Sequence, residues 1–376
     1  MPFYEVPDVP VSTGLLLPSR TEALDCPRGA IRLAFCRQCG FIQNVLFDPM
    51  LLDYATAPVV AMPVNPEAKA GLAEFASLLV RNWDLRGKDL LEIGCGEGDF
   101  LVMLCKLGNN RGLGIDPAPV ARRAEEESGM LRFLKLPYSE DQVSFGFDFI
   151  CCRHTLDRVQ ETGIFLDRVR RSVGDRREPV VFFEVADASQ TLRDVSFWDV
   201  RYERCSYLSA GSLARLFRAN DFDVFDLCNG DDGCLRIQAV AANGGEGPYW
   251  ESEDDLSDLE SLVASFQAEN QARLWEWGNS LLRVRANGGR AAVWGLSDKT
   301  AAYLTLLGIG DEVGLVVEPE ATRSLGYVAG SGHEVLPAEA LRDYKPNTII
   351  VTDEVDLPEA QREALRLGLA AEIVTL

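Results

Sequence analysis

Basic charge, histidine and long apolar runs are all scarce in this 376-residue chain. Lys and Arg total 37 against 58 Asp and Glu, a formal charge of −21. That surplus repels a nucleic-acid backbone or an anionic membrane, so neither is expected as the main partner. No apolar run approaches the ~20 residues needed to span a bilayer. The opening Met-Pro-Phe-Tyr-Glu-Val-Pro-Asp lacks the basic, apolar pattern of a secretory signal, which points to the cytoplasm. Histidine occurs twice. Cys36-x-x-Cys39 looks like half of a zinc knuckle, with Cys26 as a candidate third ligand. That segment holds no second CxxC and no histidine. A structural zinc needs four ligands, so neither zinc nor another metal is expected. The ten cysteines are scattered, several (Cys151, Cys152, Cys228) inside expected strands, and read as reduced thiols rather than a disulfide framework.

What is present is a stretch around which the chain is organised, Asp89 to Leu101, D-L-L-E-I-G-C-G-E-G-D-F-L. Leu90, Leu91 and Ile93 suit a buried parallel strand, Gly94, Gly96 and Gly98 a tight turn beneath a ligand, and Phe100, Leu101 and Leu104 the apolar face of the next helix. The helix start leaves N–H groups free to hold a carboxylate or phosphate. Asp116, in Gly-Ile-Asp-Pro about 20 residues on, is placed to accept ribose hydroxyls, with Pro117 beside it. A dinucleotide fingerprint requires G-x-G-x-x-G, whereas the spacing here is Glu92-x-Gly94-x-Gly96-x-Gly98. That pattern resembles the S-adenosylmethionine site of class I methyltransferases, which makes Glu92, Gly94, Gly96, Gly98, Asp116 and Pro117 the expected cofactor-binding residues.

With 47% apolar residues, the chain can bury full cores and is long enough for more than one domain. Residues 1–65 are proline-rich with little periodicity and form a small irregular module. Residues 66–242 alternate helices and strands, predicting a doubly wound, mainly parallel α/β sheet. The acidic, Gly-rich stretch 243–256 reads as a solvated linker. Residues 257–376 begin with a helix over Leu256 to Ala286, whose inner face is Leu262, Phe266, Leu274, Trp277 and Leu281. A second, smaller Rossmann-like unit follows, whose first turn, Gly295-Leu-Ser-Asp-Lys, keeps one glycine of the dinucleotide fingerprint and is expected to serve packing or assembly.

The knuckle, the core and the small C-terminal unit together resemble the bacterial sugar C-methyltransferase family. The pieces that carry the likeness are Leu91 to Leu101, Cys152-Arg-His-Thr-Leu156, Phe182-Phe-Glu-Val185 and Tyr202-Glu-Arg-Cys-Ser-Tyr207. The resemblance implies that side chains from the last segment deprotonate a methyl acceptor, commonly a nucleotide-linked keto sugar. Two arginines, Arg201 and Arg204, stand where the family carries a Tyr and a His. Arginine is no general base near neutral pH, but its fork suits a sulfate, phosphate or carboxylate. These readings give Glu203, Tyr202 and His154 as candidate catalytic residues, and Arg201, Arg204, Tyr207 and Asp231 as candidate substrate-binding residues. The expected function is methyl transfer from S-adenosylmethionine to an anionic small molecule of secondary metabolism, such as antibiotic biosynthesis, free or carrier-bound. The alternative is a non-methylating cyclisation or elimination with a sulfate or phosphate leaving group, assisted by a partner protein.

Overall fold

Three sheets organise the chain. The structure, a computed structural model, describes residues 1–376 apart from 14, 53–65, 119–128, 140–145, 231–232, 245–247, 287–289 and 322–323, with the side chains of 66–69 and 285 also outside the description. The candidate residue Asp231 therefore lies outside the described residues.

The central sheet follows from the glycine-turn stretch. Its strands run in the order Leu131–Lys135, Arg111–Asp116, Asp89–Ile93, Phe149–Arg153, Val180–Ala186, Cys234–Ala241 and Phe222–Asn229. The first five are mutually parallel, and the final hairpin is antiparallel. Leu90, Leu91, Ile93, Phe149, Ile150, Val181 and Phe183 are buried, as apolar runs covered on both faces must be. Helices Pro66–Asn82, Asp99–Gly108, Thr162–Val173 and Ala210–Arg218 flank the strands. Strand order reverses between Asp89–Ile93 and Phe149–Arg153, which opens a crevice at their carboxyl ends.

The described residues before Asp53 carry more regular structure than their composition suggests. Pro2–Pro10, Arg28–Phe35 and Ile42–Asn44 form an antiparallel sheet, which Ser206–Tyr207 from the middle of the chain completes. The proline-bearing strand lies at the sheet edge, where a missing N–H costs no ladder bond, and an irregularity between Val6 and Val9 accommodates Pro7. Cys26 precedes strand Arg28–Phe35 and Cys36 follows it, roughly 26 Å apart at the usual strand rise, so the three cysteines do not converge on one point.

The C-terminal sheet orders Glu372–Thr375, Thr348–Val351, Ala291–Trp294, Val313–Val317, Glu334–Leu336 and Gly326–Val328, and ends on Leu16–Leu17 from the first module. Helix Leu256–Ala286 bridges the two ends of the chain: Phe3 and Tyr4 pack edge-on to Phe266, and Trp277 packs edge-on to Tyr303. Its 31 residues span about 46 Å. The end of the acidic stretch is docked against helix Ala210–Arg218, while Glu251 and Asp254 are exposed. Glu253 is buried and paired with Arg218 at 2.6 Å, while Asp255 accepts from Arg215 and from the Gly211 N–H, both at 2.8 Å. The acids gather there because two arginines on helix Ala210–Arg218 need partners.

Candidate functional site

The crevice at the strand reversal encloses about 560 Å³ and is walled by Gly94, Gly96, Asp116, Pro117, Arg153 and His154, among others. Gly96 adopts φ +52°, and a Cβ built there would point into open space, so the bare backbone faces the cavity. At Gly94 a side chain would collide with Thr155, which ties the turn to the opposite strand end. The Asp116 carboxylate accepts from the Gly96 and Ala118 N–H groups, each at 2.8 Å. One acceptor direction then remains on each oxygen for a ligand's hydroxyls. Gly98 starts helix Asp99–Gly108 and packs under Phe133 instead of lining the cavity.

Glu92, expected at the cofactor, sits behind the turn. It is 3% exposed, and its Oε2 accepts from the Leu101 N–H at 3.1 Å. Burial pushes its carboxyl up to about 8, against the opposing pull of Arg153 and that N–H. It fastens the strand to the helix start, because its side chain points away from the crevice into the helix end.

Beyond His154 the crevice adjoins a second cavity of about 270 Å³, walled by His154, Asp187, Gln190, Asp194, Asp199 and Arg204, among others. His154 lines both cavities. It holds φ +49°, a left-handed conformation uncommon for a residue with a side chain, and its backbone N–H is fixed by the Glu184 carbonyl at 2.8 Å. Its Nε2 lies 3.1 Å from Glu184 Oε1, so Nε2–H donates and Nδ1 keeps the lone pair. Glu184 is fully buried and also takes Arg153 at 2.7 Å and Arg236 at 2.7 Å. Burial alone would raise its carboxyl, but the His154 hydrogen bond and the two guanidinium groups outweigh it and hold it down to about 2. The guanidinium groups are themselves fixed on aromatic faces, Arg153 over Phe100 at 4.3 Å and Arg236 over Phe75 at 4.4 Å. Sequence reading missed Glu184, although the acid in Phe182-Phe-Glu-Val185, inside an apolar strand, was the available signal.

The segment Arg201–Tyr207 is placed differently from expectation. Arg201 pairs with Asp298 of the C-terminal unit at 2.7 Å and lines neither cavity. Tyr202 is fully buried, its hydroxyl accepting from the Asp48 N–H at 2.9 Å and donating to the Asp48 carbonyl at 3.3 Å. Tyr207, also buried, donates to the Arg201 carbonyl at 3.2 Å. Glu203 lines neither cavity. Arg204 alone reaches the second cavity, and it is paired with Asp157 at 3.0 Å. The segment is drawn off because Ser206–Tyr207 joins the N-terminal sheet. Asp199, which sequence reading also passed over, faces the second cavity. Burial raises its carboxyl, against Arg204 and Arg201.

Comparison with known proteins bears on the central unit. Residues 65–227 match the family model described as a methyltransferase domain. Those residues carry a class I S-adenosylmethionine-dependent methyltransferase fold. The ribosomal protein L11 methyltransferase of Mannheimia succiniciproducens is 40% identical to this chain over 104 residues, 26% of this chain and 31% of that protein. The chain thus spans about a third of the length of that curated relative. Two solved methyltransferase structures, both with S-adenosylhomocysteine bound, overlap the chain more loosely. The magnesium protoporphyrin IX methyltransferase of Synechocystis PCC 6803 aligns at 16% identity and TM-score 0.37, over 48% of this chain and 90% of that one. The 1,6-didemethyltoxoflavin-N1-methyltransferase of Burkholderia thailandensis aligns at 17% identity and TM-score 0.37, over 50% and 95%. The methyltransferase crevice fits S-adenosylmethionine: Gly94 and Gly96 would pass under its amino-acid end, and Asp116 would accept from its ribose.

Proposed function

We propose that the chain methylates a small polar acceptor held in the 270 Å³ cavity, with His154 as the base. The observation that carries this reading is the position of His154 on both cavities, with Nε2 held by Glu184. When bound, S-adenosylmethionine supplies the electrophilic methyl group, which leaves the protein to align an acceptor and take one proton. Glu184 fixes the imidazole tautomer and stabilises the imidazolium that forms, as a buried carboxylate does for a catalytic histidine. The proton from the acceptor goes to Nδ1 and leaves to solvent through the half-exposed ring.

The acceptor cavity is walled by Asp187, Asp194 and Asp199 against Arg204, itself paired with Asp157. An acceptor rich in hydroxyl or amino donors suits that wall better than an anion, so the anionic acceptor inferred from Arg201 and Arg204 is given up. The cyclisation or elimination alternative goes with it, since both guanidinium groups that would hold a departing sulfate or phosphate are engaged by carboxylates.

Two measurements test the reading. Calorimetry should find one S-adenosylmethionine site per chain. A panel of small polyols and amines should then yield a substrate that releases S-adenosylhomocysteine. With that substrate, His154→Asn should lower kcat by about 10²-fold or more while cofactor affinity holds. Full activity in His154→Asn would remove the base from His154 and pass the role to Asp199.

A further inference from the structure

A concavity of about 880 Å³ lies away from the methyltransferase crevice, between helix Leu256–Ala286, the turn Phe197–Asp199 and strand Glu372–Thr375. Its wall carries Arg273, Arg283 and Lys299 against one acidic side chain, Glu276. In a chain of net charge −21, cations find carboxylates readily, and Arg153, Arg201, Arg204, Arg215, Arg218 and Arg236 each hold one. The cations of this wall have no side-chain carboxylate at ion-pair distance among the described residues. Arg283 makes no hydrogen bond or ion pair with the described residues. Lys299 has no side-chain carboxylate at ion-pair distance among them. It lies 4.9 Å from the centre of the Trp198 ring, and its Nζ donates at 3.4 Å to an α-carboxylate oxygen of Leu376, residue 376 of 376. Arg273 also lies over Trp198, at 5.9 Å, and donates to the Asp194 carbonyl at 2.9 Å.

Aromatic surface accompanies the charge. Trp198 is stacked on Trp277 with ring centres 5.8 Å apart and planes 16° apart, which fixes it as a rigid wall. Trp275 is 70% exposed on the rim, a large apolar face without cover. An unpaired arginine, Arg283, two further cations without side-chain carboxylate partners and an uncovered indole around a concavity of ligand size, within the usual range of roughly 300–1,000 Å³, are complementary to a ring that bears negative charge. We propose that this concavity is a binding site for a small organic anion with a planar ring, an aryl or heteroaryl phosphate or carboxylate. The ring rests on Trp275, and the anionic group is taken by Arg283 and Lys299.

The site shares a wall with the acceptor cavity: Trp198 lines one and Asp199 the other, while Arg273 from the first holds the Asp194 carbonyl of the second. Its occupancy does not depend on methyl transfer. The test is calorimetric titration of the full chain with 1-naphthyl phosphate, beside 1-naphthol and inorganic phosphate. Expected are one saturable site for 1-naphthyl phosphate, roughly tenfold or more tighter than for either part, and a loss of similar size in both Arg283→Glu and Lys299→Glu. Arg283 is exposed, so that variant retains its fold. Equal affinity in wild type and both variants overturns the proposal. Loss of binding in Asp116→Ala also overturns it, by placing the probe in the cofactor crevice. A chain that sediments as a dimer at these concentrations and becomes monomeric on Trp275→Ala overturns it too, by assigning the face to a second copy.

Discussion

The central and C-terminal sheets open their first strand-to-helix turns with the same device and finish them differently. In the central sheet Asp116, at the end of the neighbouring strand, accepts from the Gly96 N–H at 2.8 Å. In the C-terminal sheet Glu318, just past the neighbouring strand, accepts from the Leu296 N–H at 3.3 Å. Beyond that point they part. The helix after the central turn begins at Gly98 with no side-chain cap, whereas the C-terminal helix Asp298–Leu306 is capped by Ser297, which accepts from the Thr300 N–H at 3.2 Å. Open space lies beside Gly96, while the Asp356 carboxylate closes over Gly295. The same topology thus yields one turn left open by the chain's own side chains and one filled by them. A ligand site depends on leaving the turn unsatisfied, which the fold alone does not decide.

Four substitutions break or sharpen that contrast. Asp116→Ala should weaken S-adenosylmethionine binding by about 1.5–3 kcal/mol, the scale of charge-assisted hydrogen bonds, and Glu318→Ala should leave it unchanged. Equal losses measured by calorimetry would mean that the C-terminal turn also holds the cofactor or governs its site.

A further contrast is the pH response of Glu92, whose counterpart two residues before Gly295 is the buried Val293. With its carboxyl raised to about 8, chiefly by burial, the fold favours the protonated form. Its contribution to stability is full below the unfolded-state value of about 4.3 and is lost as pH rises toward 8. Urea denaturation across that window should show wild type losing stability relative to Glu92→Gln. Parallel curves would place the carboxylate in a better-solvated setting.

The smallest effect belongs to the capped turn. Ser297→Ala should cost about 1 kcal/mol of stability with cofactor affinity untouched. A thermal midpoint identical to wild type would show that Thr300 and its neighbours satisfy the helix start without the cap.

Periodicity and turn chemistry carried much of the fold. Helix Leu256–Ala286 has the bounds read from its apolar spacing, and the strand through Leu90, Leu91 and Ile93 is where its apolar run put it, since an apolar strand between turn residues has few alternatives. That Gly94, Gly96, Asp116 and His154 sit at the crevice was legible because strand ends and turns announce themselves locally. Arg201, Arg204 and Tyr202 were not, because their partners Asp298, Asp157 and Asp48 lie far along the chain, and a loop arginine looks the same paired or free. Glu92 misled for a narrower reason. Its spacing to the glycines is that of a ligand residue, but which face of the strand it occupies is settled by where the helix start needs an acceptor. The short strands Gly326–Val328 and Glu334–Leu336 have too few residues for an alternating pattern to stand out.

The pairing of Leu16–Leu17 with Gly326–Val328 bears on the timing of biosynthesis. The early strand leaves the ribosome roughly 300 residues before its partner, on the order of 15–60 s at about 5–20 residues per second. The Ser206–Tyr207 strand closes the N-terminal sheet only after half of the chain has been made. Until then the nascent N-terminus presents unpaired strand edges, one of the states that chaperones capture. The order in which the sheets close is therefore written into the chain's connectivity: the N-terminal sheet is complete once residues 206–207 emerge, the central sheet follows with Phe222–Asn229 and Cys234–Ala241, and the C-terminal sheet closes last, with Glu372–Thr375 at its edge.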